Sequence, residues 1–317
     1  MMRWSAVLVA DFALAHDCHV AKLKAGDTCS LKWGDAMSVL RPTQRSVGFS
    51  WVDSIFARGF GSKKQAQSTM DANHIPVVVA GGDELYVVDK HHHLAALALS
   101  GHASVEVTAS VVCALKNATG DALWRGLASL GYAYLYDRPA DEPDALPRAG
   151  PLPSSPNASF PTVFAHSATS SVFVDDRWRS LAGFARKIVG ECGSGDRYCD
   201  RCYDRTCDDT TGDAVPYFEY RWAYFFDDAY GNNASLWGRA EDFAAFAAAY
   251  RDLPFALPGT ADPVAWGAAA AALLPLCRGP SASAYRLPAT GVLSGPLPGA
   301  SAARIPHPDA DCASPRC

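Results

Sequence analysis

The sequence predicts an α+β fold, with a sheet-bearing first half and a mainly helical second half. Three observations predict it. Short β-rich runs such as Ile75-Pro-Val-Val-Val-Ala80 and Leu85-Tyr-Val-Val88 occur early and are bounded by turn residues. Later segments, such as 177–189 and 237–250, carry apolar residues at helical spacing. Hydrophobic residues make up 49% of the chain, enough for a full core.

Residues 1–15 hold one arginine, a short apolar stretch and Ala13-x-Ala15, the outline of a secretory signal peptide cut before His16. Residues 16–120 read as an α+β core. Cys18 and Cys29 bracket a local disulfide loop. Met37–Gln44 reads as a strand running into a Pro-marked turn. Gly48–Ala66 reads as one helix with Val52, Ile55 and Phe56 on a face. Ile75–Ala80 and Leu85–Val88 are strands joined at Gly81-Gly-Asp83 as a hairpin. A helix over 93–100 ends at Gly101, and Ala103–Ala109 is a further strand. Residues 121–278 form the helical half, with helices over 121–134, 177–189, 217–229 and 237–250 and a buried Ala-rich helix over Ala268–Leu274. An extended surface connection runs over 137–161, a cysteine-rich insertion over 190–213, and a Pro/Ser/Ala-rich tail over 279–317.

The net charge of −5 lacks the electrostatic footprint of a strong duplex-DNA binder, but leaves a phosphate-containing small molecule or a nucleic acid as partner. No segment is long and apolar enough to span a bilayer. Three of five asparagines lie in sequons, at Asn117, Asn157 and Asn233. The ten cysteines are an even set: Cys18, Cys29, Cys113, Cys192, Cys199, Cys202, Cys207, Cys277, Cys312 and Cys317. With the signal-like start, these features predict a secreted or endomembrane-lumen glycoprotein held by disulfides. For the cluster Cys192 to Cys207, two disulfides are the simpler account in that compartment, and zinc is the alternative because of Cys199-Asp-Arg-Cys202.

The segment from Leu85 to Gly101 carries the strongest functional signal. Asp89-Lys-His-His-His93 sits where a strand feeds a helix start, a place with free backbone N–H groups and a positive dipole end. His91 and His92 are favoured as proton carriers, since residues about 100° apart on a helix cannot all reach one point. His93 lies against the fold or adds to an anion site. Asp89 binds a metal, orients a histidine or acts as a base; its bland role is an N-cap. Arg41 and Gln44 offer phosphate contacts from the Pro-stiffened turn, or form a surface ion pair. Asp175, Asp176, Arg179 and Ser180 cluster at a later helix start, where the aspartates cap and Arg179 locks an acid such as Glu219. A divalent metal ion shared by Asp89, His92 and Glu219 is the candidate cofactor arrangement.

Leu40-Arg-Pro-Thr-Gln44 with Val47-Gly48, Ile75-Pro-Val-Val78, and Tyr86-Val-Val-Asp89 with its histidines resemble the ParB-like nuclease family of the ParB/sulfiredoxin fold superfamily. Asp175-Asp-Arg-Trp-Arg-Ser-Leu-Ala-Gly183, Phe218-Glu-Tyr-Arg-Trp-Ala223 and Leu257-Pro-Gly259 resemble its downstream motifs in the same order. Arg177 stands where the motif usually has proline, and Cys192–Cys207 looks like an insertion. The resemblance implies a ParB/sulfiredoxin-like N-terminal half with a phosphate-holding cleft at the strand–turn–helix segment. On such a cleft the residue chemistry reads as phosphoester hydrolysis, with Asp89, His91, His92 and Glu219 as the catalytic candidates and Arg41, Gln44, His93, Arg179 and Ser180 as the phosphate-holding candidates. No cysteine occupies the 89–93 turn, so sulfinic acid reduction of the sulfiredoxin kind is not expected. The rivals are a non-catalytic secreted binding or structural module and a nucleotide-dependent phosphotransferase.

Overall fold

The computed structural model describes residues 18–44, 46–80, 84–134, 136–137, 148–149, 173–190, 218–231, 236–253, 262–278 and 311–312. The signal-like segment, the cysteine-rich insertion, the sequons at Asn157 and Asn233, and nearly all of the tail lie outside them.

A 3-10 turn at Val20–Lys22 precedes β1 (Thr28–Lys32), α1 (Trp33–Val39), β2 (Leu40–Pro42), β3 (Ser46–Val47), α2 (Phe49–Gly59) and α3 (Lys63–Asp71). Then come β4 (Ile75–Ala80), β5 (Glu84–Val87), α4 (His91–Ser100), β6 (Glu106–Leu115) and α5 (Gly120–Ser129). Two-residue strands β7 (Tyr136–Asp137), β8 (Arg148–Ala149) and β9 (Val174–Asp175) lead to α6 (Arg177–Gly190), α7 (Phe218–Gly231), α8 (Ala240–Arg251), α9 (Pro263–Ala272) and α10 (Leu274–Arg278). Strand β10 (Asp311–Cys312) comes last. The architecture is α+β. The main sheet runs β1-β6-β4-β5-β2, with β10 also on β6. Strands β4 and β6 are parallel, as are β2 and β5, while β1–β6 and β4–β5 are antiparallel.

One face of the sheet packs Val77, Val79, Leu85 and Val87 against Leu94 and Leu97 of α4 and Val52 of α2. The other face packs Val78, Ala80, Tyr86, Cys113 and Leu115 against Leu123, Trp124 and Leu127 of α5. The register slips by one residue between Val77↔Val111 and Val78↔Cys113, so Val112 is a bulge in β6. An extra residue reverses which face the strand presents. That is why Val111 joins the first layer and Cys113 the second. A third cluster of Trp178, Trp222, Phe225, Phe226, Phe246 and Trp266 fills the helical half. Trp51 packs against both this cluster and the first layer.

Several expected boundaries move. Met37–Val39 belongs to helix α1, because Trp33 and Gly34 N–H groups donate to Val105 and Ala103 carbonyls and Trp33 and Ala36 bury one helical face. The predicted 48–66 helix is two, broken at 60–62. Ser62 caps α3, its Oγ accepting from the Gln65 N–H at 3.3 Å, and Phe60 is fully buried in the break. The helix expected over 121–134 stops at Ser129, and Gly131 has a left-handed φ of 74°. The strand expected over 103–109 instead runs from Glu106 to Leu115. Cys18 and Cys29 form the predicted disulfide. Cys113 is also disulfide-bonded and stands opposite Cys312 in the β6–β10 register.

Candidate functional site

Helix α4 begins at His91 because the chain turns sharply at Lys90. Lys90 is the N-cap with φ 71° and ψ 20°, the left-handed region that side chains with a Cβ disfavour. It is the sole non-glycine residue with positive φ among the described residues. No side chain caps α4, and its first internal bond is Leu94 N–H to Lys90 carbonyl. Asp89 is therefore not the cap; it is exposed one residue earlier. Lys90→Gly is expected to raise stability by about 1 kcal/mol by removing that backbone cost, read from chemical denaturation. Unchanged or lower stability would show that the Lys90 side chain has a compensating role.

The first two histidines point inward. His91 Nε2 accepts the Thr43 N–H at 3.1 Å, and His92 Nε2 accepts the Gly48 N–H at 3.2 Å. Thr43 Oγ1 donates to the Val87 carbonyl at 2.5 Å. These rings pin the loop between β2 and α2 to the head of α4. A backbone N–H can only donate, so both Nε2 atoms are unprotonated. Burial pushes the His91 pKa down to about 3 and that of His92 well below its usual value, and the Arg179 charge adds to both. His93 is partly exposed, has no hydrogen bond to other described residues, and is held down to about 4 by burial and by Lys90, with Asp89 and Glu219 opposing.

The Asp175–Gly183 motif organises the joint between α2 and α6. Phe49 N–H at the head of α2 donates to Asp175 Oδ1 at 2.8 Å. Asp176 Oδ1 caps α6 by accepting from Trp178 and Arg179 N–H groups at 3.0 and 3.2 Å. Ser180 Oγ accepts the Trp51 N–H at 3.3 Å. Val47 and Asp175 pair across β3 and β9, so the second half completes structure begun in the first. Burial raises the Asp175 carboxyl to about 7, with the Phe49 N–H opposing.

Arg179 Nη1 lies 2.9 Å from Glu219 Oε2, and its guanidinium sits 3.9 Å over the Tyr220 ring. Tyr220 stacks on Tyr134 at 3.6 Å and donates to the Ser46 carbonyl at 2.5 Å. Tyr134 in turn shares a hydroxyl bond with Tyr224 at 2.6 Å. Gln44 bridges to Tyr134. The structure thus gathers His91–His93, Gln44, Arg179 and Glu219 around the head of α4.

It does not gather the remaining predicted site residues in the expected way. Arg41 shares the α5 face of the sheet with Tyr86, where its Nε lies 3.1 Å from Glu84 Oε1. Alternation along β2 puts it on the face away from α4. Ser180 is fully buried in the α2–α6 joint, so its hydroxyl serves that joint. The expected Asp89–His92–Glu219 metal set is not assembled: His92 Nε2 is held by Gly48 and Glu219 by Arg179. Among the described residues no group of three His, Cys, Asp or Glu side chains takes a metal-holding arrangement. Sequence reasoning missed Thr43, Ser46 and Tyr134. Their signal was positional, since polar and aromatic residues flanking Gly48 must satisfy a buried loop.

A family model described as Putative ParB-like nuclease matches residues 35–198. The chain is similar to a solved structure, the crystal structure of protein Atu1540 from Agrobacterium tumefaciens, at 24% identity. That match covers 64% of this chain and 80% of the other, with a TM-score of 0.41. A comparison with curated proteins yields no match.

Proposed function

Because this chain belongs to the ParB-like nuclease family, we propose that it is a phosphodiester hydrolase whose substrate phosphate seats at the head of α4. The observation that carries this reading is the uncapped α4 start, with one partly exposed, uncommitted imidazole at its third position. Amides in the first turn of a helix have no internal acceptors and favour an anion. Lys90 and Arg58 are the positive charges that act on the His93 ring, while Arg179, held by Glu219 and Tyr220, acts on His91 and His92. His91 and His92 fix the loop and the helix head against each other. His93 takes the proton of the attacking water as the water oxygen bonds to phosphorus, and hands it to the alkoxide that departs when the ester P–O bond breaks. Its depressed pKa keeps it neutral near pH 7, and an arriving phosphate raises that pKa toward the working range.

The expected result is hydrolysis by the purified protein of at least one of single-stranded DNA, RNA, a nucleotide or a simple phosphodiester. The assay is run with and without Mg²⁺, Mn²⁺ or Zn²⁺. His93→Ala lowers the rate by about 100-fold or more, and Arg125→Ala, on an exposed α5 position, leaves it unchanged. A His93→Ala protein with full activity contradicts the assignment. Phosphate binding without turnover favours a second reading, a non-catalytic binding module. The observation that favours that reading is the commitment of both His91 and His92 rings to backbone donors.

A further inference from the structure

We infer that Asn117 is an N-glycosylation site and that this chain matures in an oxidising, glycosylating lumen. The inference is independent of the phosphoester reading. Asn117-Ala-Thr119 occupies the turn between β6 and α5, and Asn117 and Thr119 are both exposed. Thr119 stands at the N-cap of α5 with extended backbone, φ −139° and ψ 161°. A threonine there ordinarily spends its hydroxyl on a first-turn amide. This one makes no such cap bond, so the hydroxyl is not committed to the helix. By contrast, Asn73, outside any sequon, donates its side-chain amide to the Thr69 carbonyl at 2.8 Å.

The surroundings agree. Cys18–Cys29 and the bonded Cys113 are the chemistry of an oxidising compartment. A glycan attached before folding must also be accommodated afterwards. Strand β6 runs parallel to β4, and β5 runs antiparallel to it. The end of β6 that carries Asn117 therefore lies at the opposite end of the sheet from the end of β5 that feeds α4. A glycan on Asn117 thus attaches at the end of the sheet away from the head of α4. In the transfer, the Asn117 amide nitrogen bonds to the anomeric carbon of a lipid-pyrophosphate-linked oligosaccharide. The carbon–oxygen bond to pyrophosphate breaks, the nitrogen loses a proton, and the lipid pyrophosphate departs.

The test is expression of the full chain in a eukaryotic secretory host, with glycopeptide mapping and endoglycosidase digestion. The expected result is an occupied Asn117 peptide in the unaltered protein. Asn117→Gln and Thr119→Ala each lose one endoglycosidase-sensitive step, and Thr119→Ser, which keeps the sequon, retains it. An unmodified Asn117 peptide in translocated protein overturns the site. A chain recovered with free thiols and no glycan overturns both site and compartment. Mapping the unaltered protein decides the matter even where a variant fails to fold.

Discussion

Gly183→Ala and Gly48→Ala are each expected to destabilise the protein by about 3 kcal/mol or more, enough to unfold a marginal domain. A Cβ on Gly183 would stand 2.4 Å from Trp51 Cδ2, and one on Gly48 would stand 2.4 Å from Ser180 N and 2.5 Å from its Oγ. Neither neighbour can retreat cheaply. Trp51 is wedged between two cores, and its N–H is bonded to Ser180 Oγ. The Gly48 obstacle includes α6 backbone. The Gly183 prediction has a built-in sign test. Within a helix, Gly to Ala ordinarily gains about 1 kcal/mol. Gly267, inside α9 with nothing within 4 Å of its would-be Cβ, is expected to show that gain when changed to Ala. Denaturant midpoints of the three variants check the pattern. A stabilised Gly183→Ala would mean that α2 and α6 are not held in this contact.

Stability is expected to fall steeply as pH drops from about 6.5 toward 4. The three histidines have folded pKa values depressed below their ordinary 6.5, to about 3 for His91, well below 6.5 for His92 and about 4 for His93. Their stabilising contribution is present above 6.5 and is lost as pH falls toward the folded values, because unfolding then takes up protons. Asp175 acts in the opposite sense. Its folded pKa of about 7 lies above its ordinary 3.8, so its contribution is full at low pH and lost as pH rises through 7. Inside the window unfolding takes up a net of about two protons, a slope of about 2.7 kcal/mol per pH unit. Asp175→Asn removes the opposing proton and steepens the slope by about half. Urea melts at half-unit pH intervals measure it. A flat profile between pH 7 and 5 would show that the imidazoles are not held neutral.

How much of this was legible depends on range. The Tyr86–Gly101 strand and helix were readable, because Val87, Leu94 and Leu97 carry local periodicity and Gly101 marks the helix end. The Arg179–Glu219 pair was readable from chemistry, since an acid among Phe218, Tyr220 and Trp222 needs a partner. The orientation of His91 and His92 was not, because it depends on Thr43 and Gly48 amides more than 40 residues away. The placement of Arg41 was lost for the same reason: its face follows from the β2–β5 register and from Glu84. The second half of β6 was missed because Val111–Leu115 is a continuous apolar run, packed by layers on both faces of the sheet, with no polar–apolar alternation to mark a strand. In the Asp175–Gly183 motif the Asp176 cap and the Arg179 pairing were readable from local chemistry, whereas Ser180, expected to hold phosphate, spends its hydroxyl on the Trp51 N–H of a distant helix.

Imidazole and amide NMR during titration with inorganic phosphate tests the account most directly. The predicted result is that His93 ring signals and the first-turn amides of α4 shift together as phosphate is added at pH 7. The His91 and His92 rings stay neutral, protonated on Nδ1, down to pH 5. Phosphate that leaves those amides and His93 unmoved, or His91 and His92 rings that titrate near 6.5, would contradict it.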